Sequence, residues 1–97
     1  MIDFEWDPDK AKTNLLKHKV AFKEAATVFK DELSITIYDP DHSDEEDRYL
    51  TIGNSENGRF LMVAHADRDY RTRIISAREL TRKELKEYEK EIKRRNR

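Results

Sequence analysis

The sequence predicts a single α+β domain, an antiparallel β-meander covered by an N-terminal helical hairpin and a C-terminal helix. Three observations carry that prediction. Two amphipathic helical patterns occupy residues 8–29, four strand-like runs follow between residues 33 and 78, and a fully signalled helix begins after residue 80. With a short strand at the start, the order is β-α-α-β-β-β-β-α, in which the strands are joined by tight turns and pair antiparallel. At 97 residues the chain is one domain, residues 1–97. Only 36% of residues are hydrophobic and 42% are charged, so the core is thin, one sheet under helices.

The elements follow in order. Ile2, Phe4 and Trp6 alternate with Asp3 and Glu5, the period of a half-buried strand. Asp7 then reads as a helix N-cap, with Pro8 at the first helical position. Ala11, Asn14, Leu15 and His18 share one face of that helix, and Lys19-Val20 breaks the chain before a second. In the second helix Phe22, Ala25, Ala26 and Phe29 repeat the spacing, but Ala21 offers no capping oxygen. Leu33, Ile35 and Ile37 alternate with polar neighbours in a strand ended by Asp39-Pro40. An acidic loop leads to a strand over 48–53, and Asn57-Gly58 turns it into a hairpin. The unbroken apolar run 60–64 predicts a strand covered on both faces. Thr81 and Glu84 form a capping box for the last helix, with Leu80 and Leu85 as its staple. Leu85, Tyr88 and Ile92 are its apolar stripe, and residues 93–97 are expected to fray.

Composition narrows the function. No cysteine is present, which removes disulfides, thiol nucleophiles and thiolate metal sites. No apolar run approaches the ~20 residues of a membrane-spanning helix, and the acidic start is unlike a signal peptide. The chain reads as soluble and cytoplasmic, with no membrane partner. Its net charge of −1 hides a segregation: residues 31–47 carry eight acids and no lysine or arginine, whereas residues 68–97 carry twelve basic and six acidic residues. Such asymmetry suits a polyanion at one end and a basic partner at the other, unless the two regions face each other.

The arginine-rich stretch 68–78 is the chemical centre of the sequence. In a strand Arg71 and Arg73 point one way and Ile74 the other. Guanidinium forks held by a sheet match phosphate oxygens two at a time, although pairing with nearby acids is the plain alternative. His65 lies close by in sequence and has the right chemistry for proton transfer near neutral pH, or for a structural bond to a carboxylate. His18 reads as a helix-end residue. His42 sits among acids, but Asp39, Asp41 and Asp44 lack the glycine and terminal glutamate of a calcium loop. Neither zinc spacing nor a Gly-rich phosphate loop occurs, so no metal and no cofactor is expected. Arginine and histidine acting on a polyanion suggest RNA cleavage, in which the RNA's own 2′-hydroxyl attacks the phosphate. In that scheme Glu46 or His65 is the base, Arg68, Arg73 and Arg78 clamp the phosphate, and His65 or Tyr88 is the acid.

An ordered set of residues also resembles a known family. Phe4, Trp6, Asp7, Pro8, Asn14, His18, Phe22 and Phe29 open it; His42, Ser43, Glu46, Arg48, Ile52, Gly53 and Ser55 continue it. Arg59, His65, Arg68, the run Arg73, Ile74, Ile75, Ser76, Ala77, Arg78, and then Glu84 and Tyr88 complete it. Over about residues 4–88 this is similar to the BrnT family. The resemblance implies a RelE-like fold and a ribonuclease toxin of a bacterial type II toxin–antitoxin module that arrests translation. It also implies a BrnA-like antitoxin with a ribbon-helix-helix end, and contact with operator DNA only through the toxin–antitoxin complex. Site candidates are Glu46, His65, Arg68, Arg73 and Arg78 for catalysis, with Lys17, His18, Arg48, Arg71 and Tyr88 for RNA contact. Lys19, Ala21 and Glu32 depart from the family's usual glycine, serine and proline, which bears on helix ends. The alternative is a non-catalytic module that binds RNA, the ribosome or only its antitoxin.

Overall fold

The computed structural model describes residues 2–96. Its elements are β1 (Asp3–Glu5), α1 (Pro8–His18), α2 (Phe22–Thr27), β2 (Ile35–Tyr38), β3 (Arg48–Asn54), β4 (Phe60–Arg68), β5 (Arg71–Glu79) and α3 (Arg82–Arg95). Single 3-10 turns follow α2 at Val28–Lys30 and β2 at Pro40–His42. Among the described residues the strands form one sheet in the order β1-β5-β4-β3-β2. The meander β2 to β5 is antiparallel throughout, as expected. β1 adds in parallel to β5, pairing only with Arg71, Thr72 and Arg73.

The helical hairpin covers one sheet face. Val20, Phe22, Ala25 and Val28 pack against Leu61, Val63, Ile74 and Ala77, all essentially inaccessible. Burying a side chain such as Phe22 or Leu61 stabilises the fold by about 1.5–3 kcal/mol. The opposite face is less protected. α3 shields only its hairpin end, where Tyr88 tilts over Phe60 at 5.7 Å and donates to the Leu33 carbonyl at 3.0 Å. The run 60–64 is therefore not covered on both faces: Leu61 and Val63 are buried, while Phe60, Met62 and Ala64 are only half-buried. The apolar stripe of α1 is likewise narrower than its spacing implied, because Leu15 is 48% exposed. Leu33, just before β2, and Ile37 within it are exposed, whereas Ile35 on the same edge strand and face is buried.

Local rules set the ends. Asp7 accepts from the Asp9 N–H at 2.8 Å with Pro8 behind it, and Thr81 and Glu84 close a complete capping box. Ala21 makes no side-chain cap for α2. Gly58 adopts φ 79° in the β3–β4 turn. Gly53 sits where a Cβ would meet the Asp31 carboxylate and Ser34 at 3.0 Å, so only glycine lets that loop close on β3. α3 continues to Arg95 instead of fraying from residue 93, and Arg97 lies outside the described residues. Buried Glu24 is matched by Arg59 and by the Ser55 hydroxyl at 2.7 Å. The hydrogen bond from Arg59 holds the Glu24 carboxyl below its ordinary range.

One buried side chain joins α1 to the sheet. β1 stops opposite Arg73, so the outer edge of β5 beyond it lacks a strand partner. The Asn14 amide fills that role: it donates to the Ala77 carbonyl at 2.9 Å and accepts from the Ala77 N–H at 3.1 Å. It also donates to the Val20 carbonyl at 2.9 Å, which fixes the turn after α1. That turn holds Lys19 at φ 60°.

Two stability outcomes follow. Asn14→Ala leaves buried backbone groups unmatched and should cost about 2–4 kcal/mol in urea unfolding. Lys19→Gly relieves the left-handed backbone and should stabilise by roughly 0.5–1 kcal/mol, read as a higher urea midpoint at unchanged slope.

Candidate active site

The face left open by α3 is where the arginines gather, and a β-bulge puts them there. Ala64 pairs with Ser76 and His65 with Ile74, so Ile75 is an extra residue in β5. Strict alternation would set Arg78 on the face opposite Arg73. The bulge reverses the parity, so that Arg71, Arg73, Ser76 and Arg78 share the open face, opposite Arg68, Ala66, Ala64 and Met62 of β4. Arg48 and Leu50 of β3 continue it. Between them lies a cleft of about 380 Å³, floored by Leu50, Met62, Ala64 and Ser76 and rimmed by Arg48, Arg78, His18 and His42. A neighbouring recess along α1 includes Lys17, His18 and Ser76.

Most of these arginines have carboxylate partners. Arg68 grips Glu46 through Nε at 3.0 Å and Nη2 at 3.1 Å. Arg73 donates to Glu5 at 2.8 Å, and Arg71 stands 3.9 Å from the same carboxylate. Arg78 forks onto Glu84 at 2.8 and 2.9 Å, anchoring α3 to β5. That hydrogen bond, helped by the Thr81 N–H, lowers the Glu84 carboxyl to about 2. Arg68, with Arg48 and Arg73 behind it, likewise holds Glu46 below its ordinary value. Among the described residues Arg48 is the one sheet arginine without an acid within 4.0 Å.

The histidines separate. His65 shares the parity of Leu61 and Val63, so it lies on the helix-covered face, away from the arginines. It is 4% exposed, stacked near Tyr49 and edge-on to Phe29. Its Nε2 shares a 2.7 Å hydrogen bond with Thr51, and Nδ1 stands 3.5 Å from an Asp67 oxygen. The sequence-based grouping of His65 with Arg68, Arg73 and Arg78 is therefore corrected: strand alternation sets it on the other face. Tyr88 is also remote, its hydroxyl committed to Leu33 beneath α3. His18 and His42, by contrast, both reach the cleft. In the sequence His42 is weighed only as a calcium-loop ligand, and its acidic neighbours lack that spacing; the clue to its pairing is an aspartate three residues before it, across a proline-started turn. Its Nδ1 meets Asp39 Oδ2 at 2.9 Å. Ser43 locks that loop by donating to the Asp39 carbonyl and accepting from the Arg48 N–H. No group of three or more His, Asp or Glu placed to hold a metal ion occurs among the described residues. No helix there is long and apolar enough to cross a membrane.

These features define a small α+β domain whose sheet presents an open, arginine-lined face. The chain belongs to the family described as the ribonuclease toxin BrnT of type II toxin–antitoxin systems, whose model matches residues 6–84. The crystal structure of the Brucella abortus ribonuclease toxin BrnT is similar in fold, with a TM-score of 0.62 at 20% identity. The similarity covers 84% of this chain and 100% of that one. No curated protein matches in sequence. The expected α+β architecture and family are thus both found.

Burial gives His65 a testable signature. It pushes the imidazole below its ordinary 6.5, outweighing the pull of Asp67. The unfolded chain therefore takes up a proton at a higher pH than the folded one. Stability is intact above about pH 6.5 and is lost as pH falls toward the lowered folded value. Urea midpoints at about pH 7.5 and about pH 5.5 should differ less in His65→Gln than in the parent.

Proposed function

We propose that the chain is an endoribonuclease toxin that cleaves RNA without a metal ion, through the RNA's own 2′-hydroxyl, and so inhibits translation in the cytoplasm. Family membership supports the ribonuclease class. The observation that carries the chemistry is the bulge at Ile75, which puts Arg73 and Arg78 on one open face, where Arg78 and Arg48 rim the cleft. In-line attack of the 2′-oxygen builds negative charge on the phosphate oxygens, and pre-positioned guanidinium groups stabilise that charge at no reorganisation cost. Arg48, with no acid partner, is the first phosphate ligand. Arg73 and Arg78 flank it, Glu46 keeps Arg68 in place, and Lys17 and Arg71 guide the strand along the face toward His18 at the cleft. His65 and Tyr88 act through packing. A BrnA-like ribbon-helix-helix antitoxin neutralises the toxin, and operator DNA is reached only through that complex.

The direct test is cleavage of labelled RNA in EDTA, with and without ribosomes. Fragments ending in a 2′,3′-cyclic phosphate are expected from the parent. Arg48→Ala should cleave ~10²–10³-fold more slowly, and Arg73→Ala should release cells from growth arrest, with both variants still folded. Intact RNA under both conditions, with salt-sensitive binding retained, would sink this reading and favour a non-catalytic RNA-binding module.

A further inference from the structure

We propose that His18 and His42 are the proton-transfer pair of this site, with Asp39 positioning His42. The inference rests on the ribonuclease reading above and deepens it. The two imidazoles come from distant parts of the chain, the end of α1 and the turn after β2, yet line one cleft with Arg48. His42 has its Nδ1 engaged by Asp39, a carboxylate whose side chain is only 15% exposed, which leaves Nε2 for proton transfer. Asp39 is itself held: its N–H donates to the Arg48 carbonyl at 2.9 Å, and its own carbonyl accepts from Ser43. The same Ser43 hydroxyl accepts from the Arg48 N–H at 2.9 Å, so the histidine turn and the unpaired arginine are one rigid unit. Across the cleft, His18 is placed by Asn14, one helical turn earlier on α1 and pinned to β5.

The step balances without a co-reactant. One imidazole takes the 2′-hydroxyl proton as the 2′-oxygen forms its bond to phosphorus. The bond from phosphorus to the 5′-oxygen breaks, and the other histidine, as imidazolium, gives its proton to that leaving oxygen. The products are a 2′,3′-cyclic phosphate and a 5′-hydroxyl. Arg48 and Arg78 face the pair from β3 and β5. Asp41, Asp44, Glu45 and Glu46 lie with His42 and Arg48 around a second recess on the loop side. These charges bear on the pH dependence together with Asp39. Proton transfer by a placed side chain contributes typically ~10²–10⁴-fold, so each histidine should show an effect of that size.

The test is the pH–rate profile of RNA cleavage by the parent, His18→Gln, His42→Gln and Asp39→Asn, each checked for parental unfolding temperature. A bell-shaped parent profile is expected. Each glutamine variant should lose one limb and at least ~100-fold in kcat, with KM little changed. Asp39→Asn should lower kcat less, again at constant KM. A parent that cleaves RNA beside a folded His18→Gln or His42→Gln variant with parental kcat would overturn the pair and leave the ribonuclease reading standing. A parent that leaves RNA intact, with and without ribosomes, would overturn both.

Discussion

The buried amide of Asn14 is the contact on which the arrangement of the site depends. β1 is too short to complete the edge of β5, and an unpaired backbone there would be buried under α1 without partners. One side chain supplies both the donor and the acceptor that a strand would have offered at Ala77, and its second donor bond closes the turn at Val20. α1 is thereby fixed against the strand immediately after the bulge. His18, four residues along the same helix face, lies over Ser76 for that reason and for no local one. A helix held only by its apolar stripe would be free to slide, since Leu15 contributes little burial.

The bulge at Ile75 is the second constraint, and it explains how a thin core and a cationic surface coexist on one strand. On its core side β5 offers Thr72, Ile74 and Ala77; on its open side it offers Arg73, Ser76 and Arg78. Without the extra residue, either Ala77 or Ile74 would leave the core and one arginine would enter it. Burying an unmatched guanidinium there would cost far more than a local break in the ladder. The irregularity is thus what lets core packing and arginine clustering be satisfied in the same nine residues.

How much of this was legible depends on how local its cause was. Asp7-Pro8, Asn57-Gly58 and the Thr81–Glu84 box are rules within a few residues, and each marks an observed boundary. The parallel docking of β1 is settled by contacts far apart in sequence, and the register shift at Ile75 lies inside the β4–β5 hairpin; no period announces either. His65 is instructive, because its proper face was readable. It has the parity of Leu61 and Val63, and that alternation outweighs its nearness in sequence to Arg68. His42 and Asp39 lay in a stretch rich enough in acids to resemble a solvated loop. Their pairing emerges only once Ser43 ties the turn to β3.

The segregated charge of the sequence resolves into pairs more than into two poles. Glu46, from the acidic stretch, neutralises Arg68, while Glu5 and Glu84 take Arg73 and Arg78. Such pairing need not silence a phosphate-binding face. A guanidinium carries more N–H donors than one carboxylate occupies, so a fork held on one side by glutamate still presents donors on the other. Exposed ion pairs are also weak in water, and a polyanion that excludes solvent competes well with them. The carboxylates then act as guides, fixing where each arginine head sits before any ligand arrives. Arg48 needs no such guide, because its backbone is clamped by Ser43 and its side chain stands over the cleft floor. A chain with a net charge of −1 can in this way still offer a preorganised cationic surface, provided its acids are spent on orientation.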